Sequence, residues 1–368
     1  MQKIISQFWE NIQSNLFPWL EKELSSLSIK QKQLVAILEF IRIEEFIQPF
    51  HAGFRGRPPK SRRAIARAFV AKAVYNMPTS TMLVERLHSD PSLRRICGWE
   101  ERYDIPNESV FSRAFAEFAN SDLPSKTHEA LIKMVYKDEI VGHVIIDASA
   151  IEAREKSLKK SKKAPEEKTK KNETTRIEKQ ALGLMTLEEM IDDLPMQCDT
   201  GAKTNANKHK SWWRGYKLHT SVDYNGVPLA AILSAASMHD SQAAIPLARL
   251  TAQRVFNFYD LMDSGYHMEA IAEHSKALGH VPILERQPRK TGEKETKRQE
   301  KLAQEALNWK PAEMIRFENR TVIERTFSRL KDEFGGRFVR VRGVAKVSAH
   351  LMFGLLALAA DQLIKLVT

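Results

Sequence analysis

Cysteine is almost absent from this chain: Cys97 and Cys198 are the only two in 368 residues. That excludes a disulfide framework and a cysteine-rich zinc module, and it fits a reducing compartment. No apolar run reaches the ~20 residues that a membrane span requires. The longest, Val347–Ala360, is followed by Asp361 and Lys365 and reads as a buried helix. The opening MQKIISQFWENIQ has Glu10 and several amides where a secretion signal needs a clean apolar stretch. No internal repeat is apparent. Acidic residues are also in deficit, with 46 Asp+Glu against 57 Lys+Arg and a formal charge of +11. The expectation is a soluble cytoplasmic protein with no membrane partner and with a polyanion for a ligand.

At roughly 100–200 residues per domain, the length suggests two domains, or at most three. Apolar residues at helical spacing make residues 1–135 an all-helical region, with helices at 64–76, 79–88 and 109–121, the last capped by Asn107 or Ser109. From residue 136 the pattern is α/β. HVIID (143–147) and VFNFYDLMD (255–263) read as strands, and GYKLHTSVD and VPLAAILSA flank Asn225-Gly226, a hairpin signal. Helices are expected at 240–253, 267–278, about 318–334 and 345–366, with a short strand at 281–285. Two basic insertions interrupt this half, near 154–210 and 286–310. Residues 154–179 alone carry a net +6 and residues 286–301 a net +4. Either is a solvated surface or a track along a phosphate backbone.

Three carboxylates stand out. Asp147 closes the apolar run VIID, where an uncompensated acid is costly. Asp263 closes the second strand and also reads as an N-cap for the helix after it, whereas Asp240 reads simply as a helix cap. The third is Glu324 in FENRTVIERTFSRLKDEF. At ~100° per residue, Glu324 and Lys331 fall about 40° and about 20° from Arg320, so the three share one stripe. Ile323, Phe327, Leu330 and Phe334 form the apolar stripe beside it. Two strand-end aspartates and a helical glutamate can hold two Mg²⁺ ions about 3.5–4 Å apart, with Mn²⁺ as a substitute. The bland alternatives are a solvated strand end and a helix-stabilising ladder.

The spacing Phe317-x2-Arg320-x3-Glu324-x6-Lys331 resembles the Y-R-E-K signature of bacterial insertion-sequence DDE transposases, with phenylalanine in place of that family's tyrosine. Asp147 in VIIDASAIEA and Asp263 in DSGYH match the family's first and second catalytic aspartates. GRPPKSRRAIARAFVAK and LVERLHSDPSLRRICGW look like its DNA-binding region. The resemblance implies an RNase H-like mixed sheet with flanking helices over 136–368, preceded by an all-α DNA-binding region over 1–135. It also implies Mg²⁺-dependent nicking of double-stranded DNA at element ends, strand transfer by the freed 3′-OH, dimeric synapsis, and a nucleoid-associated protein. Asp147, Asp263 and Glu324 would be metal ligands, while Arg320 and Lys331 would hold phosphates near the scissile bond.

Other candidate DNA contacts are Arg55 and Arg57, which resemble a minor-groove hook, with Lys60, Arg62, Arg63, Lys217 and Phe317. Helices 64–76 and 79–88 make either a helix-turn-helix, with Arg62, Arg63 and Arg67 on phosphates, or a packed bundle. Trp212-Trp213 either stacks on an unpaired base or packs on the hairpin. His219 and His239 have no partner at metal-ligand spacing. Two rivals to an active transposase remain: a structure-directed nuclease without strand transfer, and a catalytically silent DNA-binding regulator.

Overall fold

In the computed structural model, residues 1–24, 26–47, 60–157, 175–204, 209–285 and 291–368 are described. The N-terminal half is helical. It comprises α1 (Gln2–Asn11), α2 (Phe17–Leu24), α3 (Ile29–Ile41), α4 (Arg62–Val74), α5 (Ser80–Ser89), α6 (Pro91–Cys97), α7 (Glu108–Asn120) and α8 (Leu123–Tyr136). Caps set the boundaries. Ser61 Oγ accepts from the Ala64 amide, so α4 starts two residues before its apolar periodicity does. Asp90 caps α6 at Leu93 with Pro91 as its first residue, which separates α6 from α5. Asn107, not Ser109, caps α7.

The second half alternates strands and helices: β1 (Ile140–Glu152), α9 (Arg176–Ala181), α10 (Leu187–Asp192), β2 (Asp199–Thr204), β3 (Lys210–Asp223), β4 (Pro228–Ala235), α11 (Ala244–Ala252), β5 (Phe256–Met262), α12 (Glu269–Ala277) and β6 (Val281–Leu284). Four helices end the chain: α13 (Thr291–Leu307), α14 (Ala312–Glu318), α15 (Thr321–Asp332) and α16 (Val344–Lys365). In the sheet, β1 pairs antiparallel with β3 and parallel with β5, β6 extends the parallel side, and β3 also carries β2 and β4 antiparallel. This mixed sheet with flanking helices has the expected RNase H-like arrangement.

Asp147 is not at a strand end. The 13-residue β1 runs five residues past it, because β3 stays paired with β1 out to Glu152↔Gly215. The parallel partner β5 stops earlier, with Met262 opposite Ile146. Asp147 therefore sits where the parallel ladder ends, and Asp263 comes directly after Met262 on the neighbouring strand. The β3–β4 hairpin turns at Asn225-Gly226 as expected: Gly226 has φ +80, and Asp223 accepts from the Asn225 and Val227 amides. The expected helix over about 318–334 is α15, which starts after its N-cap Arg320; a separate short helix, α14, precedes it and ends at Glu318. The 240–253 helix opens with a 3-10 turn capped by His239, and Asp240 pairs instead with Lys217 at 2.8 Å. Residues 291–307 of the second basic insertion are helical, while most of the Lys-rich stretch, residues 158–174, lies outside the described residues.

The 347–360 run is the core of α16. That helix is long and apolar enough to cross a membrane by length and composition, yet its residues are buried against α3, α4, α7, α8, β4 and α15. Phe353 of α16 lies 5.7 Å from Phe69 and 6.1 Å from Phe115. Asp361 accepts from Gln33 and from Arg329, joining α3, α15 and α16. One continuous apolar core thus runs from the N-terminal helices into the sheet.

Candidate active site

The end of the parallel ladder brings two acids together. Asp147 is held by its neighbour's amide, Ala148 N–H donating to Oδ1 at 2.7 Å. Burial pushes its carboxyl up to about 6, and the charge of Asp263 adds to the rise, against the pull of that amide, Arg320 and Lys203. Asp263 does not cap the helix after it, whose N-cap is Met268; it caps a short 3-10 turn at Ser264–Tyr266 instead, accepting from the Gly265 amide at 2.9 Å, while its charge is felt at Asp147.

Arg320, at the N-cap of α15, spans the remaining gap. One guanidinium nitrogen lies 3.5 Å from Asp147 Oδ2 and another 3.3 Å from Glu324 Oε1. Asp147 and Glu324 are thus one guanidinium apart. Among the described residues, no three His, Cys, Asp or Glu side chains are close enough together to hold a metal ion; Arg320 supplies the positive charge between these acids. Their chemistry nevertheless fits a hard divalent cation: all three donors are carboxylates, and burial leaves the Asp147 charge poorly solvated. Phe317, on α14, lies against Arg320, with the guanidinium 5.7 Å from its ring centre. Lys331, two turns beyond Glu324 on α15, donates to Ser149 Oγ of β1 at 2.7 Å. Burial, together with Arg337 and Lys203, lowers its ammonium pKa. The apolar stripe of Ile323, Phe327, Leu330 and Phe334 is buried, as its spacing implies.

Other candidates sit farther away. Arg55 and Arg57 lie outside the described residues. Lys60 precedes α4 and its carbonyl accepts from Arg62, whose guanidinium is paired with Glu117 at 2.6 Å. Arg63 is exposed, while Arg67 turns inward to Glu44. Lys217 is largely enclosed by its own protein, its ammonium bonded to Asp240 and to the Met238 carbonyl. The tryptophans divide: Trp213 donates to the Tyr216 carbonyl and packs on the hairpin, whereas Trp212 is exposed with Lys210 4.5 Å from its ring centre. His219 is buried on Ser234, and His239 caps its turn. Cys97 and Cys198 are buried and free.

Two residues near the acids escaped the sequence reading. Tyr266 is fully buried with its hydroxyl unpartnered among the described residues, and burial plus the charges of Asp240, Asp147 and Asp263 hold its phenol well above the ordinary range. Its place in DSGYH was the available signal. Ser149 could be found only from the register of β1 against α15.

A family model described as "Transposase DDE domain" matches residues 142–360, and one described as "Transposase domain (DUF772)" matches residues 22–117. No curated protein and no solved structure matches the chain.

Proposed function

Since the chain belongs to the family of transposases with a DDE domain, a DNA-binding, divalent-metal-using role comes with membership, and we propose that Asp147, Asp263 and Glu324 are its catalytic carboxylates. The observation that carries this is the Arg320 bridge between Asp147 and Glu324 beside Asp263. Two Mg²⁺ ions, or Mn²⁺, when bound by these acids would polarise a phosphodiester and lower the charge cost of the attacking oxygen.

The chain's own residues supply the rest. Arg320 exchanges its carboxylate partners for the scissile phosphate, backed by the Phe317 ring. Lys331, anchored through Ser149, neutralises charge one step further along the strand. Water attacks phosphorus at the element end, leaving a 3′-OH and a 5′-phosphate. That 3′-OH then attacks a target phosphodiester, a new 3′-O–P bond forms, and the target's own 3′-oxygen leaves with a proton. Residues 1–135, with Arg55, Arg57, Lys60, Arg62 and Arg63, grip the duplex ends, and residues 136–368 cut and join them. Two copies pair two ends, at the nucleoid of a bacterial cytoplasm.

The test is cleavage of labelled DNA carrying the element's own ends with Mg²⁺ or Mn²⁺, comparing wild type with Glu324→Gln. Cutting and joining by wild type, reduced by at least about 10³ in the variant, is the expected result. End-specific binding without cutting would make the protein a silent regulator; cutting without joining would make it a nuclease.

A further inference from the structure

Between α15 and α16 the chain forms a ledge that none of the proposed catalytic roles uses. After α15 it turns through Gly335 and Gly336, whose amide donates to the Leu330 carbonyl at 2.9 Å. Then it runs extended alongside the far end of β1, where Val339 bridges Ala153 in parallel. Alternation obeys strand logic: Val339 is buried and Val341 packs on the core, while Phe338, Arg340 and Arg342 face outward and are all exposed. Gly343 closes the segment by donating its amide to Glu155 at 3.0 Å, and Glu155 also accepts from the Tyr216 hydroxyl. The ledge is therefore clamped at both ends and in the middle, so its outward side chains are presented without a further ordering cost for the backbone.

Three properties of that outward face point the same way. Arg340 and Arg342 have no carboxylate partner among the described residues, unlike Arg337, which is paired with Asp332. Phe338 leaves nearly half its surface in solvent, with the Arg340 guanidinium 5.9 Å from its ring centre. Position is the third: Asp147, Ser149 and Ala153 lie at even spacing on one face of β1, so the ledge begins roughly 20 Å along the strand from the acid centre, with Lys331 between. A duplex needs only the charges, but an exposed ring beside two unpaired guanidinium groups suits an unpaired strand, which offers both phosphates and open base faces.

We propose that Phe338, Arg340 and Arg342 form a binding surface for single-stranded DNA leaving the acid centre. The proposal rests on the transposase reading above. Arg340 and Arg342 neutralise successive phosphates and Phe338 stacks on a base between them.

The experiment is a fluorescence-anisotropy titration of the full chain in EDTA, so that no cutting occurs, with a labelled single-stranded oligonucleotide and with the same sequence as duplex. The paired variant Arg340→Ala/Arg342→Ala should weaken single-strand binding and reduce its salt slope by about 1.4, at about 0.7 per phosphate contact. Phe338→Ala should weaken single-strand binding about tenfold and duplex binding less. Arg340→Lys/Arg342→Lys should keep the wild-type slope, which separates lost charge from misfolding. An unchanged slope in the alanine pair overturns the proposal. Equal losses on duplex and single strand overturn the single-strand assignment. If wild type binds no DNA of either kind, the transposase reading fails first and takes the ledge with it.

Discussion

At the scale of single residues, the decisive side chain is Arg320. It relieves the mutual repulsion of half-buried Asp147 and its neighbours by standing between Asp147 and Glu324, and on the proposed function it is the group that an incoming cation would displace. Arg320→Ala should therefore give a protein that melts slightly lower without metal but gains more from added Mg²⁺ than wild type does. A thermal-shift series with and without Mg²⁺ reads both effects, and equal metal-induced shifts in the two proteins would remove Arg320 from the cation's place. Much of this centre was legible in the sequence, because Arg320, Glu324 and Lys331 are neighbours on one helical stripe and helical spacing is local information. Ser149 and Tyr266 were not, since their surroundings come from other elements. The reading of Asp240 as a cap failed for the same reason: Lys217, 23 residues earlier in the chain, holds its carboxylate.

At the scale of elements, turns were readable and strand lengths were not. Asn225-Gly226 announces its hairpin through one backbone requirement, φ +80 at Gly226. A Cβ there would also lie 3.1 Å from Thr326 Oγ1 of α15. Gly226→Val should cost more than about 1 kcal/mol of stability through strain and crowding together. Urea unfolding at constant slope checks this, and an unchanged midpoint would mean that α15 gives way freely. The end of β1 misled the sequence reading because an acid after VII looks like a strand end. Only its antiparallel partner shows that the strand continues to Glu152. That extra length positions Ser149 and Ala153, and with them Lys331 and the ledge.

At the scale of the whole molecule, one buried histidine ties the halves together and a second fixes α16 to the turn after α15. His128 of α8 donates Nε2–H to the Pro228 carbonyl of β4, and its Nδ1 accepts from Arg254. His350 of α16 bonds the Gly335 carbonyl. Burial, with the nearby charges of Arg254 and Lys72, brings both down to about 3. Both are therefore neutral when folded and take up protons only on unfolding. Their stabilising effect is complete above the unfolded value of 6.5 and is lost as pH falls from there towards 3. Unfolding free energy should drop by about 1.4 kcal/mol per pH unit for each histidine across that window. His350→Gln should remove one proton from the slope; an identical pH profile would show that His350 is protonated in the folded protein. The burial of α16 was expected from its composition. Its partners were not, because an apolar helix carries no address, and the joint between the N-terminal helices and the sheet was invisible until α16 was seen among them.

That placement has a consequence for synthesis. The helices α3, α4 and α7 leave the ribosome early, but the wall that covers Phe69 and Phe115 and receives Gln33 is α16, which is translated after every strand of the sheet. A nascent chain therefore carries its N-terminal helices with an open apolar seam until the sheet-bearing half has emerged. Completion of the two halves is one event in time, and a fragment ending before residue 344 would be prey for proteases rather than a free-standing DNA binder.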